Sequence, residues 1–314
     1  MQSSIESSRI FYEKEIAPLI ASKYSEYEER IAVGIAGEGS DCFGYDDFMS
    51  RDHDFGTGVC LWLSDDDMKL FGSELSEDYD RLYEKYPDND LTDRLKERRG
   101  VMRSSRFYNN ILNCNCYNKE CNLTYEDWQQ LDHTCLATAV NGEVFRDDLG
   151  EFSRFRKMLL DYYPDRIWKL RIIEELHSFS QSLQVNYARC MSRHDTVAAR
   201  LCQMNGINSA MQLYFLMKRE YPPYYKWTYK RLAELDNNGK FSSWIRELSE
   251  SNGEKSMWEL GYDPHFINVS DPIVRLCERI AGYIVSMMRD CKLTDGIDNY
   301  LETYVNEIIN TLEL

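Results

Sequence analysis

Apolar positions follow two rhythms along this chain, and the change between them divides it. Up to about residue 150, short apolar runs of strand length are separated by amphipathic stretches and polar turns. Residues 31–36 (IAVGIA) are an unbroken apolar run closed by Gly37, which predicts a short buried strand. Residues 52–63, ending in VCLWL, predict a second strand, and residues 101–105 a third. Ahead of these, Ile10, Phe11, Ile16, Ile20 and Tyr24 recur near helical spacing. They predict a helix from Ser8 to about Glu29 with a kink at Pro18, because proline removes a helical donor. Asp65, Asp66 and Asp67 suit the positive N-terminal end of a helix carrying Met68, Leu70, Phe71 and Leu75. A second helix is expected near 77–86. Residues 136–140, the turn at Asn141-Gly142 and residues 143–145 read as a sheet-edge segment or hairpin.

From Phe152 onward nearly everything fits the 3.6-residue period. Helices are expected at 152–161, 165–187, 191–219, 225–235, 241–250, 271–290 and 294–312. The breakers between them are Pro164, Pro222-Pro223, Asn237 to Gly239, and Asp271-Pro272. The expected architecture is α+β: a mixed sheet with helices over 1–150, then an all-helical domain over 151–314.

Charge changes the picture of partners. The chain has 314 residues, 37 basic and 53 acidic, for a net charge of −16. Such a surface repels nucleic acid, whose binding rests on phosphate contacts, so a nucleic-acid substrate is disfavoured. The acidity is compatible with a cationic, amine-bearing partner. The N-terminus has no basic start followed by an apolar stretch, and no run approaches the length of a membrane-spanning helix. The ten cysteines form no small-scaffold framework, so they read as reduced thiols of a cytoplasmic protein. Oligomeric state is not legible.

The candidate chemistry lies in residues 37–55, GEGSDCFGYDDFMSRDHDF. A Gly39-Ser40 turn follows the first predicted strand, and an acid pair, Asp52 and Asp54, precedes the second apolar run. On a strand, a spacing of two puts both carboxylates on one face. Carboxylates so placed suit Mg²⁺, or Mn²⁺, shared with substrate phosphates. The turn offers backbone N–H groups and a hydroxyl to those phosphates. The bland alternative is a solvated acidic loop between two strands.

Strand, Gly-Ser turn and Asp-x-Asp in this order resemble the nucleotidyltransferase superfamily related to DNA polymerase β. The run 44–56 (GYDDFMSRDHDFG) also resembles the G-[FY]-D-D-x-x-S-R-D-H-D-x-G block of a bacterial family classed as a domain of unknown function. That family is placed in the same fold. Further likeness lies in 142–147 (GEVFRD), in Tyr163-Pro164 with Trp168, and in 221–227 (YPPYYKW), so the resemblance covers roughly residues 5–235. It implies transfer of a nucleoside monophosphate from an NTP, ATP among them, to a small-molecule or protein acceptor. The nearest analogy, at fold level, is the aminoglycoside nucleotidyltransferase architecture, with its active site in the cleft between two domains.

In that reading Asp52 and Asp54 are the catalytic, metal-holding residues, and Gly39, Ser40, Arg51 and Lys226 hold the nucleotide. Arg51 pairs equally well with Asp46 or Asp47. Lys226 lies in an aromatic block where Tyr225 or Trp227 would stack on a base, or where the rings simply pack between helices. The chain departs from the superfamily at a third carboxylate: residues 101–105 carry none, and Glu143 and Asp147 are the substitutes. The gap motivates an alternative reading, a catalytically inactive nucleotide-binding or regulatory protein. His53 points away from the acid pair on a strand and reads as structural. Cys114, Cys116 and Cys121 have only His133 nearby as a fourth ligand and do not match usual zinc spacing.

Overall fold

The computed structural model describes residues 3–47, 57–85, 98–259, 263 and 266–312. Among these residues the chain is mostly helical with one four-stranded mixed sheet. It divides into two compact units, Met1–Tyr162 and Tyr163–Leu314. No helix among the described residues is long and apolar enough to cross a membrane.

The first unit holds the sheet. Strands β1 (Ala32–Ile35), β2 (Cys60–Leu63), β3 (Gly100–Arg103) and β4 (Glu143–Arg146) lie in the order β3-β2-β1-β4. β1 pairs antiparallel with β2 and β4, and β2 pairs parallel with β3. Both central strands are buried throughout, which is why their sequences read as continuous apolar runs. The period of two separates the two faces of β2. Leu61 and Leu63 join Phe11, Ile16, Ile20 and Tyr24 of the N-terminal helical segment. Trp62 faces the other way and stacks on Phe152, with ring centroids 3.8 Å apart. The helix Glu151–Leu160 therefore packs on the sheet, and the first unit extends past the change of rhythm near residue 150.

Several elements differ from the sequence expectation. The N-terminal helix runs Ser4–Phe11 and Ala17–Lys23, joined by a π-helical turn, Tyr12–Ile16. Pro18 lacks the N–H that an α-helical ladder requires, and the wider turn just ahead of it absorbs the loss. This helix stops at Lys23 and does not reach Glu29. The helix from Asp65 continues through a second π-helical turn, Met68–Gly72, into Ser73–Tyr83, where two separate helices were expected. Residues 136–140 are not a sheet edge: they fall in or just after a helix, His133–Ala139. Its N-cap Asp132 accepts the Thr134 N–H at 2.7 Å, so a cap decided a segment whose apolar content was ambiguous. Ser104 and Ser105 leave the third strand and open the helix Ser104–Leu112.

Among its described residues the second unit has only helical elements. Its long helix Thr196–Lys218 is largely buried, and Trp168 donates to the Leu216 carbonyl at 2.8 Å. The expected helices over 165–187 and 191–219 break elsewhere. Asp165–Phe179 continues through a π-helical stretch, Ser180–Asn186, into Tyr187–Ser192. The chain then turns at His194, in a left-handed conformation, and Asp195 caps the next helix. The last helix, Glu302–Asn310, is shorter than expected.

Candidate functional site

Three strand ends meet at one edge of the sheet. Gly34 lies opposite Cys60, so the chain leaves β1 where it enters β2. Cys60 lies opposite Gly100, and β3 runs parallel to β2, so β3 begins at the same edge. The turn that contains Gly39 and Ser40 follows β1 there.

Gly39 has φ +116°, a backbone that side chains avoid. A Cβ at this position would collide with the Asp41 carboxylate and come within 2.7 Å of the Arg98 guanidinium. Arg98 Nη1 in turn donates to the Glu38 carbonyl at 3.3 Å. Ser40 is half-buried, and its carbonyl accepts the N–H groups of Phe43 and Tyr45 at 3.2 and 2.8 Å. Asn141 holds the start of the turn from the side of β4: its Oδ1 accepts the Gly37 N–H at 2.8 Å and its Nδ2 donates to the Gly37 carbonyl at 2.7 Å. Arg156 donates to the carbonyls of Asn141 and Gly142 at 3.0 and 3.3 Å, fixing that clamp.

Beside the turn lies a cleft of about 450 Å³. Arg98, Arg99, Arg106 and Glu38 contribute its charges, and Phe107 and Ile111 its apolar wall. Arg99 is buried and bonds Asp41 at 2.5 Å. Burial alone would lower its pKa, but Cys42, Asp41 and Cys60 beside it hold the guanidinium well above its ordinary value. The same burial pushes the Cys42 thiol up, against the pull of Arg99. Arg99 Nε has no hydrogen-bond partner among the described residues. The cleft is locally cationic on a strongly acidic chain, and its donors suit an anionic group next to a flat apolar one.

The sequence residues fare unequally. Gly39 and Ser40 lie at this edge. Asp52, Asp54, Arg51 and His53 lie outside the described residues. Thr57 to Val59 lead into β2 at the same edge, and Val59 accepts from the Gly100 N–H at 2.8 Å. Glu143 is ion-paired with Arg9, and Asp147 accepts the Ser153 N–H at 2.7 Å at the start of a helix. Lys226 is exposed in the second unit, on the helix Tyr225–Leu235, with its Nζ 5.4 Å from the Trp227 ring. Trp227 itself is buried and donates to the Tyr224 hydroxyl at 2.6 Å, so it is a packed corner and no stacking platform. Tyr225 remains 91% exposed.

Arg98, Arg99 and Arg106 were missed. Their signal was a basic run, Arg94 to Arg106, inside an acidic chain. Cysteine pairing also departs from expectation: Cys114 is bonded to Cys116, just after the left-handed residue Asn113, while the other eight cysteines are free. No group of three or more His, Cys, Asp or Glu able to hold a metal occurs among the described residues.

Residues 128–228 match the model of a family described as Domain of unknown function (DUF4037). The match includes β4 and Lys226 and leaves out Gly39, Ser40, Asp52 and Asp54. No curated protein and no solved structure matches the chain.

Proposed function

We propose that this chain is an Mg²⁺- or Mn²⁺-dependent nucleotidyltransferase. It would move a nucleoside monophosphate from an NTP to a hydroxyl or amine of a small-molecule or protein acceptor. The observation that carries the reading is the Gly39-Ser40 turn lying beside a cationic cleft at the edge where β2 begins. The glycine at 39 lets Asp41 and Arg98 pack against the turn, which sets Gly37 and Glu38 in the lining of the cleft. Arg98 and Arg106 offer donors to the β- and γ-phosphates. Phe107 and Ile111 offer an apolar wall to the base.

Asp52 and Asp54 supply hard oxygen donors of the kind Mg²⁺ takes, and they are the residues that would hold it. The bound ion would offset charge on the transferring phosphoryl group. In the transfer, an acceptor oxygen or nitrogen bonds the α-phosphorus. The bond to the bridging oxygen breaks, pyrophosphate leaves and the acceptor's proton passes to water.

A specific observation supports the second reading, a nucleotide-binding protein without transfer activity. Glu143 and Asp147, the substitutes for a third carboxylate, are committed to Arg9 and to a helix N-terminus. Thermal unfolding with ATP, GTP, CTP and UTP, each with and without Mg²⁺, tests both. A ligand at about a hundred times its dissociation constant adds roughly 2.7 kcal/mol to the folded state. A shift that needs Mg²⁺ and vanishes in Asp52→Asn is the expected result, and pyrophosphate release then separates transferase from binder. No shift with any nucleotide would overturn both readings.

A further inference from the structure

The second unit contains a cavity of its own, about 520 Å³, which the transfer reading does not use. One wall is the π-helical stretch Ser180–Asn186, which contributes Gln181, Leu183 and Gln184. π-Helical turns inside α-helices occur often at functional sites, because the wider turn redirects side chains and loosens the ladder. The opposite wall is the helix Pro272–Asp290, which contributes Val274, Cys277 and Glu278. Trp258 closes the base, buried and donating from Nε1 to Asp271 at 2.9 Å. Phe266, Ile267 and Tyr300 stand exposed at the rim, with Arg189 and Asp263.

Glu278 is the unusual group. It is half-buried, and its Oε2 accepts a long hydrogen bond, 3.4 Å from Asn299 Nδ2, with Gln184 as a second donor. It forms no ion pair with any described residue. Asp298, also in the lining, carries the same sign of charge and acts on Glu278. Burial raises the pKa of Glu278 above the usual carboxylate range, against the lowering hydrogen bonds of Asn299 and Gln184. A carboxylate in such a place is costly unless something pairs with it. The supporting amides are themselves held. Gln184 Nε2 donates to the Asn299 carbonyl at 2.7 Å, and Gln184 Oε1 accepts the Leu301 N–H at 3.0 Å. The walls are therefore positioned before any ligand arrives.

We propose that this cavity binds a small organic cation, an amine or guanidinium carried on an apolar body, with Glu278 as its counter-charge. The cationic head meets Glu278 and Gln181, and the body lies against Trp258, Val274 and Leu183. This site stands independently of nucleotide transfer.

The test is ligand-observed NMR and Trp fluorescence titration of the full chain with 2-phenylethylamine and agmatine. 3-Phenylpropanol and 3-phenylpropanoate are the neutral and anionic controls. Expected are saturable binding of an amine, no comparable binding of the controls, and at least a tenfold loss in Glu278→Gln. Asp52→Asn should bind the amine as the parent does, which separates this site from the transfer reading. If Glu278→Gln does not fold, Ala188→Trp, which fills the cavity from its lining, must abolish binding. The proposal is overturned by no amine binding up to about 1 mM, the level of a 4.1 kcal/mol interaction. Equal binding of the controls, or unchanged binding in a folded Glu278→Gln, would also overturn it.

Discussion

The Arg99 guanidinium meets the Asp41 carboxylate at 2.5 Å, with the two side chains 1% and 9% exposed. The pair ties the start of β3 to the turn after β1, and so holds together two edges of the cationic cleft. Removing one partner leaves an uncompensated buried charge. Arg99→Met should destabilise the fold by about 3–5 kcal/mol in urea unfolding, and Arg99→Met combined with Asp41→Leu should recover part of that loss. A single mutant as stable as the parent would show the pair to be dispensable.

Gly39 is the tightest point of the turn. Gly39→Ala combines a left-handed backbone with a collision against Asp41 and Arg98. The expected cost is about 1–3 kcal/mol of stability. NTP-dependent stabilisation should fall further than this loss of fold explains, because Arg98 is displaced. Melting curves with and without nucleotide give both quantities from one sample.

The charges of the cleft should be visible in salt dependence. Arg106→Gln removes an exposed cation from its lining without touching a buried pair. A charge-assisted hydrogen bond contributes about 1.5–3 kcal/mol, so triphosphate affinity should drop about tenfold or more while stability stays near parental. The remaining affinity should depend less on ionic strength. Calorimetric titration at two salt concentrations measures this.

Asn141 carries no charge and touches no candidate ligand, yet it fixes the turn through two hydrogen bonds to Gly37. Asn141→Ala strands a backbone N–H and a carbonyl that are buried. It should cost about 1–3 kcal/mol and weaken nucleotide binding. Asn141→Asp keeps the acceptor, loses the donor and should fall between the two.

Acid stability should depend on Asp78. Burial would raise its pKa, but hydrogen bonds from Lys23 and Tyr24, both at 2.6 Å, together lower it. A depressed carboxylate stabilises the fold above its unfolded value, near pH 3.9, and that contribution is lost as pH falls through the lower folded value. Asp78→Asn should therefore be less stable than the parent at pH 6, with the difference shrinking below about pH 4. Parallel melting curves across pH 3–7 would reveal a constant gap if Asp78 acts only by packing.

How far the chain could be read from its residues depended on how local the cause was. Buried central strands declare themselves as apolar runs, so β1 and β2 were legible within the expected 31–36 and 52–63, although β2 begins only at Cys60 and residues 57–59 lie outside it. The amphipathic helices of the second unit were legible for the same reason. Helix and strand were confused at 136–140, where a few apolar residues fit either period and the Asp132 cap decided. The Gly39-Ser40 turn could be found because a glycine with positive φ is a local demand. Arg98, Arg99 and Arg106 could be seen as a basic run but not as a site. Their convergence on Gly37 depends on β3 pairing parallel to β2, a contact between residues far apart in the chain.

The sequence by itself determined most element types, the apolar faces and the residue chemistry near the first turn, because these follow from neighbours a few positions away. Only the tertiary structure decided that Asp41 would be spent on Arg99 and Glu143 on Arg9. It alone decided that Asn141 would clamp Gly37, and that Glu278 would line a cavity with no ion-pair partner among the described residues. Each of these is a pairing across the fold, and the energy of a charge or an amide is set by what the folded chain places beside it.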